Sequence, residues 1–143
     1  MTRGQFVLVT NDGIFSSGEF NGDMYYDGHG HGPEVVERLM RIQNADDFDK
    51  ELIEFNEANF EYEDYQGGYK SSVDDINFKR DYFGEWFSDY LYIKNLTDSV
   101  YEITDRDGKT IMLNPDQIQI FCFGRLYGNV DSDGHLSFFE EEE

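Results

Sequence analysis

The chain has 143 residues, about the modal size of one domain and long enough to bury a core without disulfide or metal staples. Its 31 Asp and Glu against 11 Lys and Arg leave a formal net charge of −20, a surface that repels nucleic acid and anionic membrane and attracts cations and basic protein surfaces. Aromatic residues make up 17% of it, unlike chains too polar to fold, so the charge belongs to a folded protein.

In chain order, QFVLVT over residues 5–10 is a β-rich run, and NDG at 11–13 is a hairpin signal, because Asn, Asp and Gly tolerate left-handed backbone. IFSSGEF then reads as the return strand, and DMYYDGHGHG as a short aromatic strand followed by a glycine-rich loop. Pro33 suits the first turn of a helix and Glu34 the positive end of its dipole. Val35, Val36, Leu39, Met40 and Ile42 fall at helical spacing, so the pattern predicts a helix over 33–43. A second helix is predicted over 46–56, with Phe48, Leu52 and Phe55 on its apolar face and Asp46 and Asp47 supplying cap and dipole charge.

Residues 57–72 lose this period and read as an acidic, tyrosine-rich loop ended by Gly67 and Gly68. The stretch 71–86 is ambiguous between helix and loop. From Trp86 onward the chain is strand-like, in WFSDYLYIKNL, SVYEITD, TIMLN and QIQIFCF, with DRDGK at 105–109 as a hairpin turn. Neither a repeat nor a linker interrupts it. The expectation is a single α+β domain over 1–143: an antiparallel sheet with hairpins and an inserted pair of short helices.

The only cysteine, Cys122, excludes an internal disulfide and fits a reducing compartment, where it reads as a buried, inert thiol. The first apolar run, FVLV, is too short for a signal-peptide core, and no stretch is long enough to span a membrane. A soluble, cytoplasmic protein is expected.

Three groups of residues invite a chemical reading. His29 and His31, beside Asp27 and Glu34, offer imidazole and carboxylate ligands on a glycine-rich loop, the donor types that zinc accepts. Only His135 remains as a further histidine, so a fourth ligand cannot be named, and a strand-to-helix connector with exposed histidines accounts for the same residues. The same loop lacks the glycine fingerprint and the Lys of a phosphate cradle, and Pro33 removes a donor.

The second group is NVDSDGHLSFFE at 129–140, which follows the twelve-residue calcium loop of an EF-hand. Asn129, Asp131 and Asp133 take loop positions one, three and five, Gly134 position six and Glu140 the bidentate position twelve. The preceding strand-like sequence argues instead for a hairpin with the turn DSDG. Calcium is therefore the cofactor of the alternative reading, a cation-binding domain, and a small metal-dependent enzyme centred on His29 and His31 is the third. No nucleophile or acid–base pair stands out, and no catalytic residue is assigned.

The third group is the charge itself. Duplex DNA carries about one charge per 1.7 Å of axis. On the second predicted helix Asp47, Glu51 and Glu54 lie on one face within about 10 Å, from a rise of ~1.5 Å per residue. Glu57, Glu61, Glu63 and Asp64 extend the same region, with Asp46 and Asp49 nearby and only Lys50 opposing them. Tyr62, Tyr65 and Tyr69, interleaved with these acids, have the character of interface anchors. This reading predicts a non-enzymatic protein that binds the basic surface of a nucleic-acid-binding partner, not nucleic acid or membrane directly.

The order strand, NDG, strand, aromatic-Asp-Gly, glycine-rich turn and helix resembles that of small hypothetical proteins of phages and prophages. Tyr26, Asp27, Gly28, Gly30 and Gly32 carry the likeness, together with DYLYIKN at 89–95. The long acidic segment has no counterpart in it. The resemblance implies a mobile-element origin, where small acidic proteins often inhibit host nucleic-acid enzymes, and it implies no catalytic residue.

Overall fold

The computed structural model describes residues 2–71 and 89–138; the ambiguous stretch at 72–86 and Glu140 lie outside them. QFVLVT lies in β1 (Arg3–Thr10), buried from Gly4 to Val9. Both faces of this strand are covered, which is why its sequence is a continuous apolar run rather than an alternating one. Asn11 and Asp12 turn the chain into β2 (Gly13–Ser16). Neither residue takes the expected left-handed backbone. The Thr10 hydroxyl closes the turn instead, donating to the Gly13 carbonyl at 2.9 Å and accepting from the Asp12 N–H at 3.1 Å.

The expected return strand is broken in two. Ser17 interrupts it: its N–H donates to the Phe6 carbonyl and its hydroxyl accepts from the Phe6 N–H, both at 2.9 Å. Pairing resumes in β3 (Phe20–Asn21), opposite Arg3 and Gly4. The aromatic stretch after Asp23 is not a strand, contrary to its composition. Met24 is fully buried against Gly4, and the chain turns through residues 25–31 into α1 (Gly32–Arg41). The second helix, α2 (Ala45–Asn59), runs three residues longer than its predicted end.

After β4 (Tyr69–Ser71) come β5 (Tyr90–Asn95), β6 (Tyr101–Thr104), β7 (Thr110–Leu113), β8 (Ile118–Cys122), β9 (Arg125–Val130) and β10 (Leu136–Phe138). The main sheet runs β10-β9-β8-β5-β1-β2-β4, with β3 also paired to β1, and β6 and β7 form a separate hairpin through the expected turn at 105–109. The architecture is α+β. One pairing departs from the antiparallel expectation: β1 and β5 are parallel, from Gly4 opposite Tyr90 to Val9 opposite Asn95. A parallel pair requires a long crossover, and the helical insertion lies within the connection that supplies it.

The sheet separates two cores. On one side Phe6, Leu8, Tyr92, Ile118 and Ile120 meet Val35, Val36 and Leu39 of α1 and Phe48, Leu52 and Phe55 of α2. On the other, Val7, Val9, Leu91, Ile93 and Phe121 are covered by Ile103, Ile111 and Leu113 of the β6–β7 hairpin.

Candidate acidic interface

The cap of α2 is Asn44, not the Asp pair that follows it. Its side chain accepts the Asp47 N–H at 2.8 Å, and the Asp47 carboxylate accepts the Gln43 N–H at 3.0 Å. This reciprocal arrangement satisfies donors that a helix start leaves open, and it commits Asp47 to the backbone. One turn on, Glu51 lies between the helices. It accepts from Arg38 at 3.0 Å and from Arg41 at 2.9 Å, and its side chain is 13% exposed. Burial alone would raise its pKa, but hydrogen bonds and charge from Arg41 and Arg38 outweigh it and hold the carboxyl below its ordinary value. The face predicted as a free line of acids is therefore divided: Asp47 and Glu51 serve the fold.

Glu54, Glu57, Glu61, Glu63 and Asp64 are exposed. Glu57 stands in the last turn of α2, where the helix dipole is already negative and no basic residue is present; Glu54 lies one turn earlier and the other three in the loop beyond. Acids at that end cost stability rather than add it. The loop that carries the last three is well tied. Asn56, buried, accepts the Tyr62 N–H at 3.0 Å and donates to the Tyr62 carbonyl at 3.1 Å.

The tyrosines are not the free anchors that their spacing suggested. Tyr62 stacks on Phe20 with ring centroids 5.9 Å apart, and its hydroxyl accepts the Asn21 N–H. Tyr65 donates to the Ser17 carbonyl, and burial pushes its pKa up. Tyr69 alone of the three is mostly exposed. Between α2 and the loop lies a groove of about 320 Å3, walled by Ile53, Tyr62 and Tyr65 and bordered by Glu57, Glu61 and Glu63.

The histidine loop has a packing explanation. A β-carbon on Gly30 would run into the Tyr25 carbonyl, and one on Gly32 would lie 2.5 Å from the Tyr92 hydroxyl. Only glycine lets the chain pass this close beneath residues 25 and 26. The two histidines then part company: His29 is exposed, while His31 packs edge-on against Phe55 and also against Phe60. Among the described residues no three His, Cys, Asp or Glu side chains are placed to share an ion.

Residues 129–138 form a strand, turn and strand rather than a loop between helices. Asn129 accepts from the Gln117 amide at 2.7 Å. The Asp131 carboxylate accepts the backbone N–H groups of Asp133 and His135, and Gly134 takes the left-handed position at φ 84°. Asp133 is exposed.

Lys94 is the charged residue that pattern reading missed. It occupies an inward position of β5 where an apolar side chain belongs, and its ammonium donates to the carbonyls of Leu39 at 2.8 Å and Ile42 at 2.7 Å. It thereby caps the end of α1, where the Leu39 carbonyl also accepts the Ile42 N–H at 3.2 Å. Burial lowers its pKa, against the pull of Asp116 and Asp47. It floors a cleft of about 450 Å3 that is rimmed by Asp116 and Asp131. Cys122 is half-buried rather than fully sealed, with a hydrogen bond to the Tyr90 hydroxyl.

Among the described residues no helix is long and apolar enough to cross a membrane. Compared with known proteins, the chain stands on its own geometry: no protein-family model, no curated protein and no solved structure matches it significantly.

Proposed function

We propose that this is a non-enzymatic acidic binding protein, of phage or prophage origin, that blocks a basic nucleic-acid-binding surface on a host defence enzyme by charge mimicry. One observation carries the reading. Five exposed carboxylates follow one another over the second half of α2 and the loop after it, Glu54, Glu57, Glu61, Glu63 and Asp64, with Glu57 in a last turn that carries no basic residue and where it works against the helix dipole. Stability does not account for their position, whereas a partner lined with Lys and Arg does.

The test is capture from bacterial lysate on the immobilised protein at low salt, with elution by salt and separately by competing DNA. The expected result is one nuclease or nucleic-acid-binding complex released by both. The triple variant Glu57→Lys, Glu63→Lys, Asp64→Lys should lose it while its circular dichroism is unchanged. A diffuse set of basic proteins, captured equally by the variant, would sink the proposal.

A further inference from the structure

Among the described asparagines only Asn21 is followed by glycine. It is exposed, and its side-chain amide has no hydrogen-bond partner among the described residues. The others are held or blocked. Asn44 accepts the Asp47 N–H at 2.8 Å, Asn59 donates to Glu34 at 3.1 Å, and Asn129 accepts from Gln117 at 2.7 Å. Asn56 and Asn95 are buried. Asn114 precedes Pro115, whose nitrogen has no proton to lose. Asn11 is exposed, but the nitrogen that follows it belongs to Asp12, whose side chain screens it and whose N–H Thr10 holds at 3.1 Å.

The nitrogen after Asn21 is poorly guarded. Gly22 has no β-carbon to cover it, and its φ of 146° keeps other residues out of the position. The Gly22 N–H donates to the Thr2 carbonyl at 3.1 Å, an acceptor that lies before β1 and is shared with the Met24 N–H at 3.3 Å. Among the described strands β3 pairs with β1, and it is two residues long. So short an element, tied by so few bonds, opens locally at small cost in free energy.

We propose that Asn21 is a site of spontaneous covalent modification, in which its amide is lost and the chain isomerises. The Gly22 nitrogen attacks the Asn21 Cγ and closes an imide ring. The side-chain nitrogen leaves as ammonia, carrying away the proton lost by Gly22. Water then opens the ring. Opening at the side-chain carbonyl gives aspartate, and opening at the main-chain carbonyl gives isoaspartate, with one more carbon in the main chain. Either product adds a negative charge opposite Arg3 in the sheet. Isoaspartate also displaces Gly22 from Thr2, beside the point where the Tyr62 hydroxyl accepts the Asn21 N–H at 3.1 Å and ties down the acidic loop. The inference does not rest on charge mimicry.

Peptide mapping by mass spectrometry, on folded protein kept in mildly alkaline buffer at physiological temperature, tests it. The peptide holding Asn21 should gain one mass unit and split into two products of equal mass, ahead of every other asparagine and faster as pH rises. Isomerisation at the Asp-Gly pairs leaves the mass unchanged and is not mistaken for it. Asn21→Gln should stay unmodified over the same period, because its longer side chain would have to close a larger ring. The isoaspartate fraction should melt below both the wild type and Asn21→Asp, which carries the charge without the extra carbon. A folded chain that keeps its mass while the urea-unfolded chain gains it overturns the proposal, since the bond to Thr2 then protects Gly22. Gain at Asn11 as fast as at Asn21 overturns it too, and an isoaspartate fraction that melts with the wild type removes the structural consequence. None of these results touches charge mimicry, which stands or falls on partner capture by the helix variants.

Discussion

The two halves of α2, with the loop that follows, treat their acids differently. In the first half Asp47 caps the backbone and Glu51 joins two arginines of α1. In the second half Glu54 and Glu57 stand exposed, and Glu61, Glu63 and Asp64 continue the series into the loop. What separates them is neither residue type nor helical periodicity but what lies opposite. Where α1 presents Arg38 and Arg41, a carboxylate becomes part of the structure. Beyond the reach of α1 the same carboxylate is left to solvent or to a partner. Acidic residues on one helix therefore cannot be summed into one surface.

Substitutions can break this comparison. The largest effect is expected at Glu51→Ala, which removes the partner of Arg38 and Arg41 across the seam and leaves Arg38 only Glu34 on its own helix; a loss of about 2–3 kcal/mol in urea unfolding is expected. A loss under about 0.5 kcal/mol would place Glu51 with the solvent-facing acids after all. The same contrast has a pH signature. The folded pKa of Glu51 lies below its unfolded value of about 4.3, so its contribution is present above that pH and lost as pH falls through the folded value. The difference in Tm between the wild type and Glu51→Gln should accordingly close as the solution is taken below about pH 4. A gap that stays constant would mean that charge plays no part in the pair.

Lys94→Met comes next, with an expected loss of about 2 kcal/mol, because the Leu39 and Ile42 carbonyls lose the ammonium, Leu39 keeping only the Ile42 N–H, while the methionine stem still fills the space. Equal stability would show that water replaces the ammonium. Asp131→Ala should cost about 1 kcal/mol through the two N–H groups of its turn, and by the same amount with and without calcium. A calcium-dependent Tm in the wild type, lost in this variant, would restore the metal reading of the loop.

The smallest effect sharpens the comparison from the other side. Glu57→Lys should raise stability by about 0.5 kcal/mol, since it places a cation at the negative end of α2. If it lowers stability as much as Glu51→Ala, the distinction between the two halves is wrong.

Much of this could be read from residues near one another in the chain. The strands at 5–10, 90–95, 110–113 and 118–122 followed from β-branched and aromatic runs, and both helices from apolar spacing. The hairpin at 105–109 followed from Asp and Gly, with Gly108 taking φ 87°. The aromatic stretch 24–26 misled, because a strand needs a neighbour to pair with and Met24 is instead drawn beneath β1. In the acidic region the exposure of Glu57, Glu61, Glu63 and Asp64 was legible, but the fate of Glu51 was not. Its partners sit on another helix, ten and thirteen residues away.

The sequence by itself determined the charge, the α+β class and the position of most elements, because propensity, turn chemistry and hydrophobic period act over a few residues. Only the tertiary structure decided that β1 and β5 run parallel, that Gly30 and Gly32 exist for close passage, that Tyr62 and Tyr65 hold the fold together, and that Lys94 closes α1. Each of these depends on groups brought together across the fold, and the free energy of such a contact has no trace in the local pattern of either partner.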